Sequence, residues 1–230
     1  MKYLIIGLGV FGRNLAVDLN DTGAEVIGVD NRNEAIDDVK DIISTTYIID
    51  ATDENALALL PFNNIDLTIV ALGNNFGASV KTVALLKKAG VKRLMVRAID
   101  DIHESILEGM GVERILTPEK KSALNLAAEL AINSKLDSFA ITQNQYIFKF
   151  LAPTALIGLS YTDLYQNGFY GMRLITASRA VIKRNIIGMI TESQQPLEQI
   201  AEAKVEQDDQ LTFFGPLDKF KHFCRQINTE

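Results

Sequence analysis

Gly7-Leu-Gly9-Val10-Phe11-Gly12 is the part of this chain whose residue types and spacing could hold a charged ligand. An apolar run, residues 3–6, leads into Gly-x-Gly-x-x-Gly, and a helix-like segment, residues 13–20, follows. In that order Gly7 permits a tight strand-to-helix turn, Gly9 lets a pyrophosphate approach the backbone, and Gly12 lets helix and strand pack closely. Free N–H groups at the helix start, with the positive end of its dipole, would face the phosphates. A second apolar run, Val26-Ile-Gly-Val29, ends at Asp30, about 20 residues beyond the glycines, where a carboxylate can accept hydrogen bonds from ribose hydroxyls. Asp30 would repel a ribose 2′-phosphate; Arg32, two residues on, weakens that exclusion, and Asn31 lies between them. The chemistry on offer is nucleotide binding.

Further positions fall after later apolar runs. Asp50-Ala51-Thr52-Asp53 follows the third, where adenine lies in dinucleotide-binding sheets, and Ala71-Leu72-Gly73-Asn-Asn75 follows the fourth, at the expected topological switch. Asp53 and Asn75 serve equally well as caps of the helices after them. Arg97 ends the fifth run, either as a cation for phosphate or as a solvated strand end. Catalytic residues are not expected. Hydride transfer needs an acid–base group beside the nicotinamide; only His103 and His222 are available, and His103 reads as part of a solvated helix start. No Tyr-x-x-x-Lys pair occurs, and the single cysteine, Cys224, reads as a small core residue on a terminal helix.

These residues need elements to position them. Strands are expected at 2–6, 25–29, 46–49, 67–71, 93–97 and 114–116, and helices at 11–20, 33–42, 54–60, 77–89 and 102–110. Such alternation predicts an α/β fold, a Rossmann-like doubly wound parallel sheet covered on both faces. A helix is expected at 120–134. The pattern then changes to hairpins, with strands at 139–141, 146–150, 172–176, 180–183, 186–190 and 211–214 and a closing helix at 217–227. The predicted domains are residues 1–117 for the nucleotide, 118–136 for a crossover helix, and 137–230 for a smaller α+β C-terminal lobe. Hydrophobic residues make up 47% of the 230 and the net charge is −6, which describes a globular protein and disfavours a nucleic-acid surface. No apolar stretch approaches the roughly 18 residues that span a bilayer, so a cytoplasmic location is expected.

The glycine fingerprint, Val29-Asp30, Asp50-Ala-Thr-Asp-Glu-Asn55, Val70-Ala-Leu-Gly-Asn-Asn75, Val96-Arg-Ala98 and the stretch 107–120 together resemble the RCK (KTN) family, as do residues 152–158 and 207–215. These are the cytosolic regulatory subunits of Trk/Ktr-type potassium uptake systems, and the likeness extends over essentially the whole chain as one regulatory unit. The resemblance implies ATP, ADP or NAD(H) in the glycine cleft. It implies a crossover helix that packs on a second subunit, and homodimers assembled into a ring, an octamer in the family. The ring would lie peripherally on the inner membrane face, against an integral-membrane potassium channel or transporter subunit. Many members carry an arginine after the second glycine to meet the terminal phosphate; here that position is Val10 and the nearest arginine is Arg13, which favours ADP or NAD(H). Glu119 matches a family glutamate that helps hold a divalent cation between subunits; the other explanation is a carboxylate stabilising its own helix dipole. Some relatives bind cyclic di-AMP between C-lobes, and Arg173 lies in that region. A small NAD-dependent oxidoreductase is the alternative to a potassium-transport regulator.

Overall fold

The computed structural model describes the chain except residues 74, 143, 167–168, 185–189, 198–202 and 228–230. It divides into two compact units, Met1–Pro118 and Glu119–Glu230.

In the first unit the strands are β1 (Lys2–Ile6), β2 (Glu25–Asp30), β3 (Thr45–Ile48), β4 (Leu67–Val70), β5 (Leu94–Arg97) and β6 (Arg114–Leu116). Between them run α1 (Val10–Asp21), α2 (Asn33–Asp37), α3 (Glu54–Leu57), α4 (Phe76–Lys88) and α5 (Asp101–Gly109). All strand pairs are parallel, in the order β3-β2-β1-β4-β5-β6. This is the doubly wound arrangement the alternating pattern predicts. Side chains of successive strand residues go to opposite faces. Leu4, Ile6, Val70 and Val96 join one core cluster, while Ile5, Val26 and Ile69 join the other. The chain leaves β3 at one edge and re-enters at β4 beside β1, so the winding reverses between β1 and β4. Ile6 is in register with Val29 on one side and Val70 on the other, which brings the residues after all three strands to one edge.

Two helices are shorter than expected, and the reason is local. The 33–42 pattern is helical only to Asp37, after which Val39 and Ile42 donate to carbonyls three residues back, a tightened turn. The 54–60 pattern is helical only to Leu57, after which Leu59 and Leu60 donate to carbonyls three residues back, a tightened turn just ahead of Pro61.

The second unit is α+β. It contains α6 (Pro118–Ile132), which begins at the unit boundary, then β7 (Leu136–Ala140), β8 (Gln145–Leu151), α7 (Tyr161–Gln166), β9 (Arg173–Arg184), β10 (Ile190–Pro196), β11 (Gln210–Pro216) and α8 (Leu217–Ile227). The antiparallel sheet has the order β10-β9-β11-β8-β7. Its core is aromatic: Phe148 and Phe220 stack with centroids 3.9 Å apart, and Phe150, Phe213 and Phe223 complete the layer. α6 ends at Ile132 because Asn133 takes a left-handed conformation (φ 48°), a common helix stop. The two strands expected at 172–176 and 180–183 are one strand, β9. A bulge opposite Thr212/Phe213 leaves Ile175 and Thr176 exposed while Leu174 and Ala177 both point inward. That interruption of the alternation gives the appearance of two strands. The strand expected at 186–190 lies, apart from Ile190, outside the described residues.

Candidate functional site

The glycine loop joins β1 to α1 at the switch point. Gly7 has φ 97°, a conformation that favours glycine, and its N–H donates to the Val29 carbonyl at 2.7 Å. A methyl group on Gly12 would collide with the Gly7 carbonyl oxygen, so the third glycine is required by helix–loop packing. Gly9 differs from both. It caps α1 in an extended conformation, and a β-carbon there would meet no protein atom within 4 Å. The second glycine thus faces an open cradle at the helix start, the place a diphosphate takes in this fold. Val10, the first residue of α1, is 74% exposed and Phe11 half-buried.

Asp30 is buried at 7% exposure, and its carboxylate is held on all sides. The Leu8 N–H donates to Oδ2 at 2.8 Å; the Arg32 N–H donates to Oδ1 at 3.0 Å; the Arg32 guanidinium donates to Oδ1 and Oδ2 at 3.0 and 3.1 Å. Burial pushes this carboxyl up, but the guanidinium and the two backbone donors outweigh it and hold it below the usual carboxylate range. The carboxylate therefore stays charged. Asn31 and Arg32 are exposed beside it.

After β3, the Asp50 carboxylate accepts from both the N–H and the hydroxyl of Thr52 at 2.8 Å, forming a closed turn. Ala51 is buried and its carbonyl accepts the Thr82 hydroxyl of α4. Asp53 caps α3, accepting from Asn55 N at 2.8 Å, and Asn75 caps α4, accepting from Ala78 N at 3.0 Å. After β4, Ala71 is buried and its N–H bonds to the Ile6 carbonyl, while Leu72 and Gly73 are half-buried. Arg97 lies directly across Gly73, where a β-carbon would overlap the guanidinium, and its Cζ stands 5.8 Å from the Phe11 ring centroid. The structure thus brings Arg97 against the glycine loop rather than leaving it a solvated strand end.

Other expectations fare differently. Arg13 is held by Asp38 at 2.7 Å, a partner that spacing in sequence does not reveal. His103 is a correction: it is fully buried, not part of a solvated turn. Its Nδ1 accepts the Ile99 N–H at 3.2 Å and its ring meets Phe76 edge-on at 5.1 Å, because Asp100, not the histidine, caps α5. Burial pushes the His103 pKa down. Cys224 is buried, and burial pushes its thiol up to about 11, a poor nucleophile and an ordinary core residue. Glu119 stands exposed in the first turn of α6. Among the described residues no group of three or more His, Cys, Asp or Glu is arranged to hold a metal ion. Among them, too, no helix is long and apolar enough to cross a membrane.

A parallel sheet wound 3-2-1-4-5-6, an open glycine cradle at its switch point and a buried acid at the end of the second strand define a nucleotide-binding doubly wound unit. Comparison with known proteins is more specific. Residues 3–118 match the TrkA-N domain, and the chain belongs to that family. It is 28% identical over 226 residues to the Ktr system potassium uptake protein C of Bacillus subtilis (strain 168), covering 98% of this chain and 97% of that one. It is 32% identical over 174 residues to the Ktr system potassium uptake protein A of the same organism, covering 76% and 78%. Potassium uptake proteins are thus its homologues, and the oxidoreductase alternative is set aside. A solved GsuK channel bound to NAD shares the fold, with TM-score 0.60 at 15% identity over 95% of this chain and 38% of that one.

Proposed function

We propose that this chain is a nucleotide-sensing regulatory subunit of a Ktr-type potassium uptake system. The observation that carries the reading is the pairing of an open Gly9 cradle with a charged, buried Asp30 on one sheet edge, without an acid–base group suited to redox chemistry among the described residues there. Gly7, Gly9, Val10, Phe11 and Gly12 take the diphosphate; Asp30, with Asn31 and Arg32 beside it, takes the ribose. Asp50, Ala51, Thr52 and Asp53 border the adenine, and Ala71, Leu72, Gly73 and Asn75 floor the cleft. Arg97 supplies positive charge toward the phosphates. ADP or NAD(H) suits the cradle better than ATP, because Arg13 is engaged by Asp38 and Val10 offers no charge to a terminal phosphate.

The bound nucleotide biases the conformation of a homodimeric assembly, ringed on an integral-membrane potassium transporter subunit at the inner face of the membrane. Only differential contact with the two nucleotides can move that equilibrium, and a coupling of about 1–3 kcal/mol is typical. Glu119, from the start of α6, contributes to a divalent-cation site completed by a second subunit. Cyclic di-AMP at the C-terminal lobe is a further ligand of this reading, with Arg173 exposed on β9. Potassium flux through a reconstituted Ktr membrane subunit, with this chain and either ADP, ATP, NAD or NADH, tests the proposal. Flux should change with nucleotide identity; flux indifferent to every nucleotide contradicts it.

A further inference from the structure

A carboxylate offers about four lone-pair sites, and in this structure all four of Asp30's are taken. Two are held by backbone donors, Leu8 N and Arg32 N. The other two are held by one side chain, the Arg32 guanidinium, through Nε on Oδ1 and Nη2 on Oδ2. Those are the two sites that a ribose diol would need for its hydroxyl donors. The partners are unequal in exposure: the Asp30 side chain is 6% exposed and the Arg32 side chain 60% exposed. Arg32 is also the N-cap residue of α2, but its side chain makes no capping hydrogen bond there, so it can leave by rotation about its own bonds without unmaking a contact to the helix.

We infer that Arg32 is an internal competitor of the ribose: its guanidinium occupies the two Asp30 sites that a ribose diol would take and must be displaced before an adenine nucleotide with a free ribose diol can bind. The inference rests on the nucleotide-binding reading above and adds a residue that tunes affinity through ribose alone. The contact is a fork of two parallel charge-assisted hydrogen bonds, the strongest way an arginine meets a carboxylate, yet one partner is largely solvated. Its displacement therefore lowers affinity modestly rather than abolishing binding. Phosphate and adenine contacts are untouched by it.

The test is calorimetric titration of the full chain, wild type and Arg32→Ala, with ADP and with 2′,3′-dideoxy-ADP, which has no hydroxyls to offer Asp30. Removing the guanidinium should tighten ADP about fivefold, the equivalent of about 1 kcal/mol, and leave the dideoxy compound unchanged. ADP binding that weakens or stays the same in Arg32→Ala overturns the competitor role and makes Arg32 a ligand or a bystander. Equal tightening of both compounds also overturns it, since the effect then does not pass through ribose. A wild-type chain that binds neither compound overturns the nucleotide reading itself, and the competitor with it.

Discussion

The backbone N–H of Leu8 donates to the Asp30 carboxylate at 2.8 Å, so the acid proposed to meet ribose also holds the glycine loop in shape. Leu8 is 3% exposed, and its N–H has no water to turn to if the carboxylate is removed. A buried donor left without an acceptor costs about 1–3 kcal/mol. Asp30→Ala is therefore expected to lower the unfolding free energy by about that amount as well as to weaken nucleotide binding. From sequence alone the same variant would be expected to leave the fold intact. Asp30→Asn, which keeps an oxygen for Leu8, should lose most affinity with a smaller loss of stability. Urea unfolding of the two variants beside wild type checks the difference.

In the second unit, Asp209 is fully buried and accepts from Tyr161 Oη at 2.7 Å, from the Arg179 guanidinium at 2.7 and 2.8 Å, and from the Glu206 N–H at 2.7 Å. Burial raises its carboxyl pKa, and these donors, Arg179 foremost, more than reverse that, leaving it below the ordinary value. A carboxyl depressed in the folded state contributes stability that is present above its unfolded pKa of about 3.9 and is lost as pH falls through the folded value. Unfolding free energy should therefore fall steeply in acid below about pH 4, and Asp209→Asn should flatten that fall. At neutral pH the same variant leaves Arg179 facing an uncharged partner and should cost about 3 kcal/mol.

His103 costs stability in the same direction, as pH falls, but in a different range. Its Nδ1 accepts from Ile99, so Nε2 carries the proton and finds no hydrogen-bond partner in its buried site. Desolvation lowers its pKa in the folded state, so the unfolded chain takes up the proton first. Stability should decline as pH drops below about 6.5, the unfolded histidine value. His103→Gln should remove that slope while leaving the acid limb from Asp209 in place. Melting temperatures between pH 8 and 5 for the two proteins decide it.

Gly12 and Gly28 give a packing control independent of any ligand. A methyl on Gly12 overlaps the Gly7 carbonyl, which is backbone and cannot step aside. On Gly28 it meets the end of the Ile43 side chain at 2.7 Å, which can. Gly12→Ala should destabilise by about 1–3 kcal/mol, the usual range for overpacking, and Gly28→Ala by less. Denaturant midpoints of the two variants make the comparison.

Much of the first unit was legible because its signals are local. Glycine spacing, continuous apolar runs and a terminal acid each bear on one turn or one strand, and six strands in βα alternation leave few topologies. What could not be read are contacts between residues far apart in the chain. Asp38 engaging Arg13, Arg97 lying over Gly73, and Leu8 donating to Asp30 all depend on three-dimensional register. His103 sits among charged neighbours in sequence, yet only one face of α5 is solvated, and the histidine lies on the other. In the second unit the bulge in β9 breaks the two-residue alternation on which strand reading depends, and α7, six residues long, is too short to show a helical period.

Gly9 separates ligand binding from folding, because its missing side chain faces open space and its backbone is already extended. Calorimetric titration of wild type and Gly9→Ala with ADP and with NAD, alongside their ligand-free melting temperatures, is therefore the most direct test of a cradle built for a diphosphate. The account predicts saturable binding by wild type, loss of binding in Gly9→Ala, and melting temperatures that agree without ligand. A Gly9→Ala chain that binds as tightly as wild type, or a wild-type chain that binds neither nucleotide, would contradict it.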